Sequence, residues 1–204
     1  MKDLAVLVAD NNMAAVVRSL LARNRALGIR ALAVDVFVHP RRDPGCVHEA
    51  HHFLAALTNT YTCSLVLFDH QGSGQEQAEP AELAQQVTDR LAESGWRNRS
   101  RAIVLAPELE IWVWSPSPHV AACLGWGNQA LDLRSWLQNQ GYWPAAAAKP
   151  PDPKAAMEAV LREVRRPRSS AIYAQLATTV SLRCHTEPAF VTLVDTLRAW
   201  FGAD

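Results

Sequence analysis

Three predicted strands of this 204-residue chain run into acidic side chains, whose type and spacing could do chemistry. Asp10 follows the first strand and Asp69 closes the third. Glu108 and Glu110 follow the fourth. Because the carboxyl ends of parallel strands meet at one edge of a sheet, we expect these carboxylates to converge there. Carboxylate oxygens suit Mg²⁺ or Mn²⁺, and such an ion can polarise a phosphodiester and help to form the attacking hydroxide.

The same acids are also typical of helix capping. An aspartate at the end of a strand often accepts a backbone N–H of the helix that follows, and no metal is then involved. The spacing of Asp10, Asp69, Glu108 and Glu110 fits both interpretations.

Two polar side chains next to Asp69 extend the candidate site. Gln71 offers a carbonyl oxygen as a further metal ligand, although it brings no negative charge. His70 could move a proton near neutral pH, or it could bond only to the backbone of its own turn. The proposed catalytic residues are Asp10, Asp69 and His70, and the proposed metal ligands are Asp10, Asp69, Gln71, Glu108 and Glu110.

Strands and helices alternate through the first half of the chain, which predicts a parallel sheet covered by helices on both faces. A loop is predicted over 39–45, because two prolines and a glycine interrupt the pattern there. The fold class is therefore α/β. The predicted strands are residues 4–9, 31–38, 63–69 and 101–106, and the predicted helices between them are residues 13–27, 47–59 and 81–94.

The character of the chain changes after Trp114, since 115–118 reads Ser-Pro-Ser-Pro and no convincing strand follows. We therefore expect an α/β domain over 1–115 and a helical C-terminal extension over 116–204. Its predicted helices are residues 120–124, 131–139, 154–164, 170–180 and 188–201, with an Ala/Lys/Pro linker over 145–153.

Tryptophan is concentrated where the sheet ends and the helices begin. We interpret five of the seven tryptophans as an aromatic core that joins these two layers, in preference to a base-stacking or ligand-binding surface. These five are Trp112, Trp114, Trp126, Trp136 and Trp143.

Composition argues against broad classes of partner. Twenty basic and twenty acidic residues cancel, so no global field attracts the chain to nucleic acid or to a membrane surface. The apolar stretches are too short to cross a bilayer and no signal-peptide pattern opens the sequence, so we expect a cytoplasmic protein without a membrane. Local contacts stay open, because the basic run of Arg162, Arg165, Arg166 and Arg168 could meet nucleic acid or an acidic partner.

Four cysteines lie far apart along the sequence, without a C-x-x-C pair. Neither a disulfide framework nor a structural zinc site is indicated by that spacing, and we expect reduced, mostly buried thiols. The cysteines are Cys46, Cys63, Cys123 and Cys184.

The order of the acidic segments resembles that of Toprim-like domains. An acid after the first strand, an Asp-x-x segment after a later strand and Pro-Glu-Leu-Glu-Ile-Trp over 107–112 occur in that order. More narrowly, the chain is similar to uncharacterised Toprim-like proteins related to the RloB and overcoming-lysogenization-defect nucleases. Segments 149–154, 169–173 and 187–193 resemble that group's Lys/Pro linker, Tyr-containing helix and closing Phe/Leu helix.

The resemblance assigns roles by position. Asp10 stands where Toprim domains have a glutamate proposed as general acid or base, and Asp69 matches the first member of their Asp-x-Asp pair. Gln71 replaces the second acid of that pair, and the usual Glu-Gly-x-x-Glu phrase is absent from 10–14. Glu108 and Glu110 match the later Glu-x-Glu segment.

A role in bacterial anti-phage or restriction-type defence is what this resemblance implies. The chain would be a Mg²⁺- or Mn²⁺-dependent nuclease or phosphodiester-handling subunit that works with an ATPase or another defence-system protein on nucleic acid. The replaced and missing acids favour an alternative, a catalytically degenerate Toprim module that binds a partner protein or senses nucleic acid. A nucleotide or small-molecule binder at the same sheet edge is a third interpretation, because a fold does not fix a function. The oligomeric state is left open.

Overall fold

The computed structural model describes residues 1–127, 129–182 and 186–203. Four strands form one parallel sheet in the order β2-β1-β3-β4. The strands are β1 (Lys2–Val8), β2 (Val34–Val38), β3 (Tyr61–Asp69) and β4 (Ser100–Leu105).

Helices make up most of the remaining regular structure. In the first part of the chain they are α1 (Asn11–Leu21), α2 (Asn24–Leu27), α3 (Arg42–Ala55) and α4 (Pro80–Leu91), which runs into a π-helical turn over Ala92–Trp96. A 3₁₀ helix (Leu109–Trp112) follows β4. The helices after it are α5 (His119–Leu124), α6 (Leu133–Asn139), α7 (Pro153–Glu163), α8 (Ser170–Thr179) and α9 (Pro188–Phe201).

The sheet has helices on both faces because its crossovers run in opposite directions. β1 pairs with β2 on one side and with β3 on the other, so the β1–β2 connection through α1 and the β2–β3 connection through α3 run across the sheet in opposite directions. Right-handed crossovers then place α1 and α3 on opposite faces. This burial explains why β1 and β3 are continuous apolar runs, with Leu4–Val8 and Leu65–Phe68 almost inaccessible to solvent. The α/β class, the parallel sheet flanked by helices and the helical C-terminal extension are confirmed.

The predicted loop over 39–45 is in part helix, since α3 begins at Arg42. Pro44 lies in the first helical turn, where a backbone N–H has no partner within the helix, so proline loses no hydrogen bond there. Gly45 passes so close to His39 that an added Cβ would lie 1.9 Å from its Nδ1. The glycine therefore reflects a tertiary contact rather than a turn.

The first predicted helix is divided into α1 and α2 at Arg23, whose backbone leaves the helical region. Its guanidinium donates to the carbonyls of Ala177 and Val180, at 2.7 and 2.8 Å, and so ties this corner to the end of α8. The helical period does not show this interruption, and the carbonyls that hold Arg23 lie more than 150 residues along the chain.

The tryptophans near the start of the helical extension form a core, as predicted. Trp112 packs edge-on against Phe190 with ring centroids 5.3 Å apart. Trp114 meets Trp143 at 5.5 Å, and Trp126 meets Trp136 at 4.8 Å. All but Trp136 are buried, which confirms the aromatic core between sheet and helices.

Three of the cysteines, Cys46, Cys63 and Cys123, are free and buried, as expected, and Cys184 lies outside the described residues. Among the described residues, no helix has the length and apolar character needed to cross a membrane.

Candidate metal centre

Asp10 and Asp69 follow neighbouring strands at the carboxyl edge of the sheet. β1 pairs with β3 in register from Leu4 opposite Cys63 to Val8 opposite Leu67, so the two chain segments leave the sheet side by side. Asp10 is the N-cap of α1, and its Oδ1 accepts the N–H of Met13 at 2.8 Å. The capping interpretation therefore holds for Asp10, although a carboxylate has further lone pairs to offer.

Asp69 is held by backbone groups on two sides. Its own N–H donates to Oδ1 of Asp43 at 2.8 Å, and its Oδ1 accepts the N–H of Leu109 at 2.8 Å. These bonds join the end of β3 to the first turn of α3 and to the 3₁₀ helix after β4. Asp69 is thus fixed in place rather than free at a loop tip.

Asp43 is a site residue that the sequence analysis did not identify. The early start of α3 puts it in the first helical turn, beside Asp69. The signal available in the sequence was an acid shortly after the second predicted strand, but the prolines around it indicated a loop. Asp43 and Asp10 are close enough for the charge of Asp10 to raise the pKa of Asp43, in addition to the larger effect of burial.

The two glutamates after β4 complete an acidic triad with Asp69. Oxygen atoms of Asp69, Glu108 and Glu110 all lie within 4.8 Å of one another. Glu108 precedes the 3₁₀ helix and Glu110 lies within it, and both are almost fully buried, at 3% and 1% exposure. The acidic triad could hold one metal ion.

Two cations from the helical extension face the acidic triad. Lys154, in the first turn of α7, places its Nζ 3.0 Å from Oε2 of Glu108. Arg168, just before α8, donates to Oε1 of Glu110 at 2.6 Å. Tyr173 on α8 donates its hydroxyl to the same Glu110 oxygen and accepts from Arg168 Nε at 2.6 Å. The extension therefore supplies the counter-charges for acids that belong to the sheet.

The crowding of carboxylates changes their acidity. Burial, followed by the charges of Asp43, Glu110, Glu108 and Asp10, raises the pKa of Asp69 well above its ordinary value. Burial also raises the pKa of Glu108, although the hydrogen bond from Lys154 opposes it. Burial lowers the pKa of Lys154, but Glu108 outweighs it and the net pKa is raised. Asp69 is accordingly the acid with the least electrostatic compensation.

These groups line an open, polar cleft of about 570 Å³ at the carboxyl edge of the sheet. Gln71 and Arg42 stand at the cleft together with the carboxylates. The whole lining consists of Asp10, Asn11, Asn12, Arg42, Asp43, Asp69, Gln71, Gly72, Glu108, Lys154 and Arg168. Four of the five proposed ligands, Asp10, Asp69, Gln71 and Glu108, thus share one cleft, and Glu110 joins it through the acidic triad.

His70 bonds to the backbone of its own loop and does not line the cleft. Its Nε2 lies 2.9 Å from the carbonyl oxygen of Ala78, and the residue is absent from the cleft lining. This bond closes the turn after β3, which is the structural interpretation of a turn histidine. Its catalytic role stays a prediction.

Part of the basic run at 162–168 is used within the molecule. Arg168 belongs to the cleft, and Arg166 donates to the carbonyl of Cys123 at 2.7 Å. The run therefore serves in part to dock the chain after α7 against the sheet edge and α5.

The donor set fits a divalent cation. The acidic triad is made of carboxylate oxygens, which Mg²⁺ and Mn²⁺ accept, and Asp10 and Asp43 add further oxygens nearby. The cleft carboxylates outnumber the cationic side chains Arg42, Lys154 and Arg168. Among the described residues no cationic side chain pairs with Asp69, and its carboxylate has lone pairs beyond the one that accepts the N–H of Leu109.

Comparison of the chain with protein-family models, with curated proteins and with solved structures gives no match.

Proposed function

We propose that the chain is a Mg²⁺- or Mn²⁺-dependent phosphodiester hydrolase, in the manner of a Toprim-type nuclease. The observation that carries this proposal is the acidic triad of Asp69, Glu108 and Glu110 at an open cleft, with Lys154 and Arg168 in contact with its two glutamates. A site with clustered acids and adjacent cations suits a substrate that is itself anionic. Phosphodiesters meet that description, since their charge is carried on oxygens that lysine and arginine recognise.

Each side chain has a role in hydrolysis. Asp69, Glu108 and Glu110 would hold the ion, which supplies Lewis-acid activation of the phosphoryl group when bound. Asp10 or Asp43 takes a proton from the attacking water as the water oxygen bonds to phosphorus and the P–O bond to the leaving group breaks. Lys154, whose side chain is 42% exposed, is the cation best placed to turn towards a phosphate oxygen, and a proton from solvent completes the leaving alcohol.

We also propose, from the resemblance alone, that the chain serves anti-phage or restriction-type defence together with an ATPase or another defence-system protein. The same cleft supports a second candidate, a non-cleaving module that binds a partner or senses nucleic acid. Its support is that Glu108 and Glu110 already have cationic partners in Lys154 and Arg168, which a bound ion must compete with.

Cleavage tests the first proposal directly. Supercoiled plasmid, single-stranded DNA and RNA are incubated with wild type, Asp69→Asn and Asp89→Asn in Mg²⁺ or Mn²⁺. Asp89 is exposed on α4 and serves as the matched control. We expect cleavage by wild type and by Asp89→Asn and a loss of at least about 100-fold in Asp69→Asn, the scale on which active-site groups act.

The non-cleaving module predicts other results. Intact substrates at every metal concentration, together with co-purification of an ATPase, would contradict the hydrolase and support the module. Metal binding is read separately from thermal unfolding. Mn²⁺ at 100 times its Kd stabilises a one-site protein by about 2.7 kcal/mol, and Asp69→Asn should lose this shift while Asp89→Asn retains it.

A further inference from the structure

Strand β2 is an open edge of the sheet. It pairs with β1 on one side, and all five of its residues, Val34–Val38, are half-buried. The opposite edge differs, because β4 is buried except at Arg101 and packs against α4 and α9. One edge of this sheet is therefore covered by the chain itself and the other is accessible.

The backbone groups on the open side of β2 belong to its three even-numbered valines. Ala33 and His39, which flank the strand, direct their bonds to β1: the Ala33 carbonyl accepts from Leu4 N, and His39 N donates to the Val8 carbonyl. In a parallel strand the two polar groups of one residue point to the same side, and successive residues alternate. Val34, Val36 and Val38 thus present both N–H and C=O outward.

A hydrogen bond at the middle of the strand agrees with this alternation. Arg18 on α1 donates from its guanidinium to the carbonyl of Val36 at 2.9 Å. That carbonyl must therefore lie on the open side, within reach of an exposed side chain.

Apart from the Arg18 guanidinium at the Val36 carbonyl, the open edge lacks the usual protection against another strand. Natural edge strands carry lysine, proline, a bulge or a covering loop, whereas β2 reads Val-Asp-Val-Phe-Val and pairs with β1 in unbroken register. Its one charge, Asp35, is engaged by Lys2 and Tyr61, each at 2.5 Å. A shallow groove beside the strand adds apolar surface from Leu21, Leu32, Val34 and Val36, next to the charged Arg18 and Asp35.

We propose that a second copy of this chain docks on β2, with the two β2 strands antiparallel and Val36 at the two-fold axis. In this register Val36 faces its own copy, and Val34 faces the partner's Val38. The outward groups recur at every second residue, so every outward N–H meets an outward C=O of the other copy. The exposed Arg18 side chain then shares the Val36 carbonyl or turns away from it. Each opposed valine pair is a hydrogen-bonded pair of an antiparallel ladder.

Side-chain pairing favours a second copy over an unrelated strand. One face of the paired strands would carry only valine opposite valine, and β-branched cross-strand pairs are stabilising. On the other face Asp35 lies opposite the partner's Phe37, so no two acids are opposed. Two-fold centres at Val34 or Val38 would leave outward groups of two valines unpaired. A centre at Asp35 would oppose two acids and leave Val38 unpaired, and a centre at Phe37 would leave Val34 unpaired. The strand is thus self-complementary about one residue.

This inference does not depend on the proposed function. The two strands run in opposite directions, so the carboxyl edges of the two sheets, with their clefts, face opposite ways. Variants that separate the copies should therefore leave metal binding per chain unchanged.

The test is the mass of the full chain in solution, by sedimentation velocity over about 1–100 µM. We expect twice the 22.5 kDa chain mass at the upper concentrations. Val36→Pro removes an outward N–H without touching the ladder to β1, and Val34→Lys adds the charge that protects edges. Both should be monomers, whereas the control Val191→Lys, at an exposed valine of α9, should remain a dimer.

A cross-link tests the register even if these variants fold poorly. Opposed residues of a hydrogen-bonded antiparallel pair have Cα atoms about 5.5 Å apart, within the range that a disulfide spans. Val36→Cys should give a reducible dimer and Val191→Cys should not, both in a Cys184→Ser background. The proposal is overturned if the wild type stays monomeric at 100 µM, even if it captures a different protein. It is also overturned if both Val36→Pro and Val34→Lys remain dimers.

Discussion

At the residue scale, Asp69 shows how strongly a site can depend on a side chain that is poorly compensated. Its carboxylate is fixed by the N–H of Leu109 and lies among four other acids. Glu108 and Glu110 form ion pairs with Lys154 and Arg168, whereas no cationic side chain in the described part of the chain pairs with Asp69. Ionisation is therefore most costly at this one residue, and a bound cation would relieve that cost.

Replacing Asp69 with asparagine should stabilise the protein at neutral pH. The pKa of Asp69 is raised in the folded state, so its ionisation opposes folding once the pH exceeds the ordinary value of 3.8. Below that pH the carboxyl is protonated in both states and the opposition disappears. We expect Asp69→Asn to have a higher Tm than wild type at pH 7 in EDTA, and a difference that shrinks towards pH 4.

Asparagine keeps an oxygen for the N–H of Leu109, so the substitution changes the charge with little change of shape. Each kcal/mol corresponds to about 2–4 °C for a chain of this size. Asp89→Asn is the control and should not shift the Tm. A lower Tm for Asp69→Asn at pH 7 would contradict the assignment of Asp69 as an uncompensated charge.

Arg168 is the cation whose loss should cost most stability. Removing it leaves Glu110, 1% exposed, with Tyr173 as its remaining donor among the contacts described. Breaking a buried pair costs about 3–5 kcal/mol, and the 30% exposure of Arg168 places the expected loss for Arg168→Gln near the lower end. Urea unfolding at pH 7 measures it.

The double variant Arg168→Gln/Glu110→Gln separates charge from packing. It should recover much of the stability, because no buried carboxylate is then left unpaired. Arg162→Gln, on the exposed side of α7, is the control for loss of a nearby arginine. Equal losses in the single and double variants would show that Arg168 acts by packing rather than by charge.

At the element scale, the start of α3 decides the composition of the site. The segment 39–45 carries turn residues, and sequence reasoning therefore places a loop there. In the fold, Pro44 is accommodated in the first helical turn and Gly45 makes room for His39. The consequence is functional, since this turn brings Asp43 to Asp69.

Gly45→Ala should destabilise the protein although it lies in a helix. Alanine is normally favoured over glycine in helices by about 1 kcal/mol. Here the new Cβ would lie 1.9 Å from Nδ1 of His39 and 2.9 Å from Cβ of Arg41. Overpacking of this kind costs about 1–3 kcal/mol, and thermal unfolding should show a lower Tm.

The double variant His39→Ala/Gly45→Ala tests the cause. Its loss of stability should be smaller than the sum of the losses in the two single variants. The reason is that the clash requires both the His39 imidazole and the new Cβ at position 45. Additive losses would place the cost of Gly45→Ala elsewhere.

At the scale of the whole molecule, the α/β part and the helical extension pack directly on each other. Ser170 Oγ donates to Oδ1 of Asn12 at 2.8 Å, and Arg198 donates to the carbonyl of Leu27 at 2.8 Å. The indole of Trp114 donates to the carbonyl of Pro153 at 2.8 Å. Buried side chains from both parts belong to one continuous core.

We therefore expect the 1–115 and 116–204 parts to unfold together. Four of the seven tryptophans lie in 116–204, so tryptophan fluorescence reports mainly on the extension. Far-UV circular dichroism reports on the sheet and on all the helices. Urea transitions followed by fluorescence and by circular dichroism should coincide within error, in wild type and in Arg23→Ala. Two separated transitions would show that the parts are independent.

The sequence by itself determined the elements and their order. Apolar runs predicted the four strands, helical periodicity and glycine or proline punctuation predicted most helices, and acids at strand ends predicted where chemistry would lie. These signals are local, since they depend on side-chain alternation, capping and backbone preferences within a few residues. They also identified the acidic triad and Asp10, because parallel strands must deliver their ends to one edge.

Only the tertiary structure decided what those acids meet. Lys154, Arg168 and Tyr173 reach Glu108 and Glu110 from 46, 58 and 63 residues away, and no local preference encodes such a pairing. The open edge at β2 likewise follows from the strand order, which a sequence pattern leaves undefined. The physical reason is that an ion pair or a free sheet edge depends on which segments share the core, and packing of the whole chain sets that.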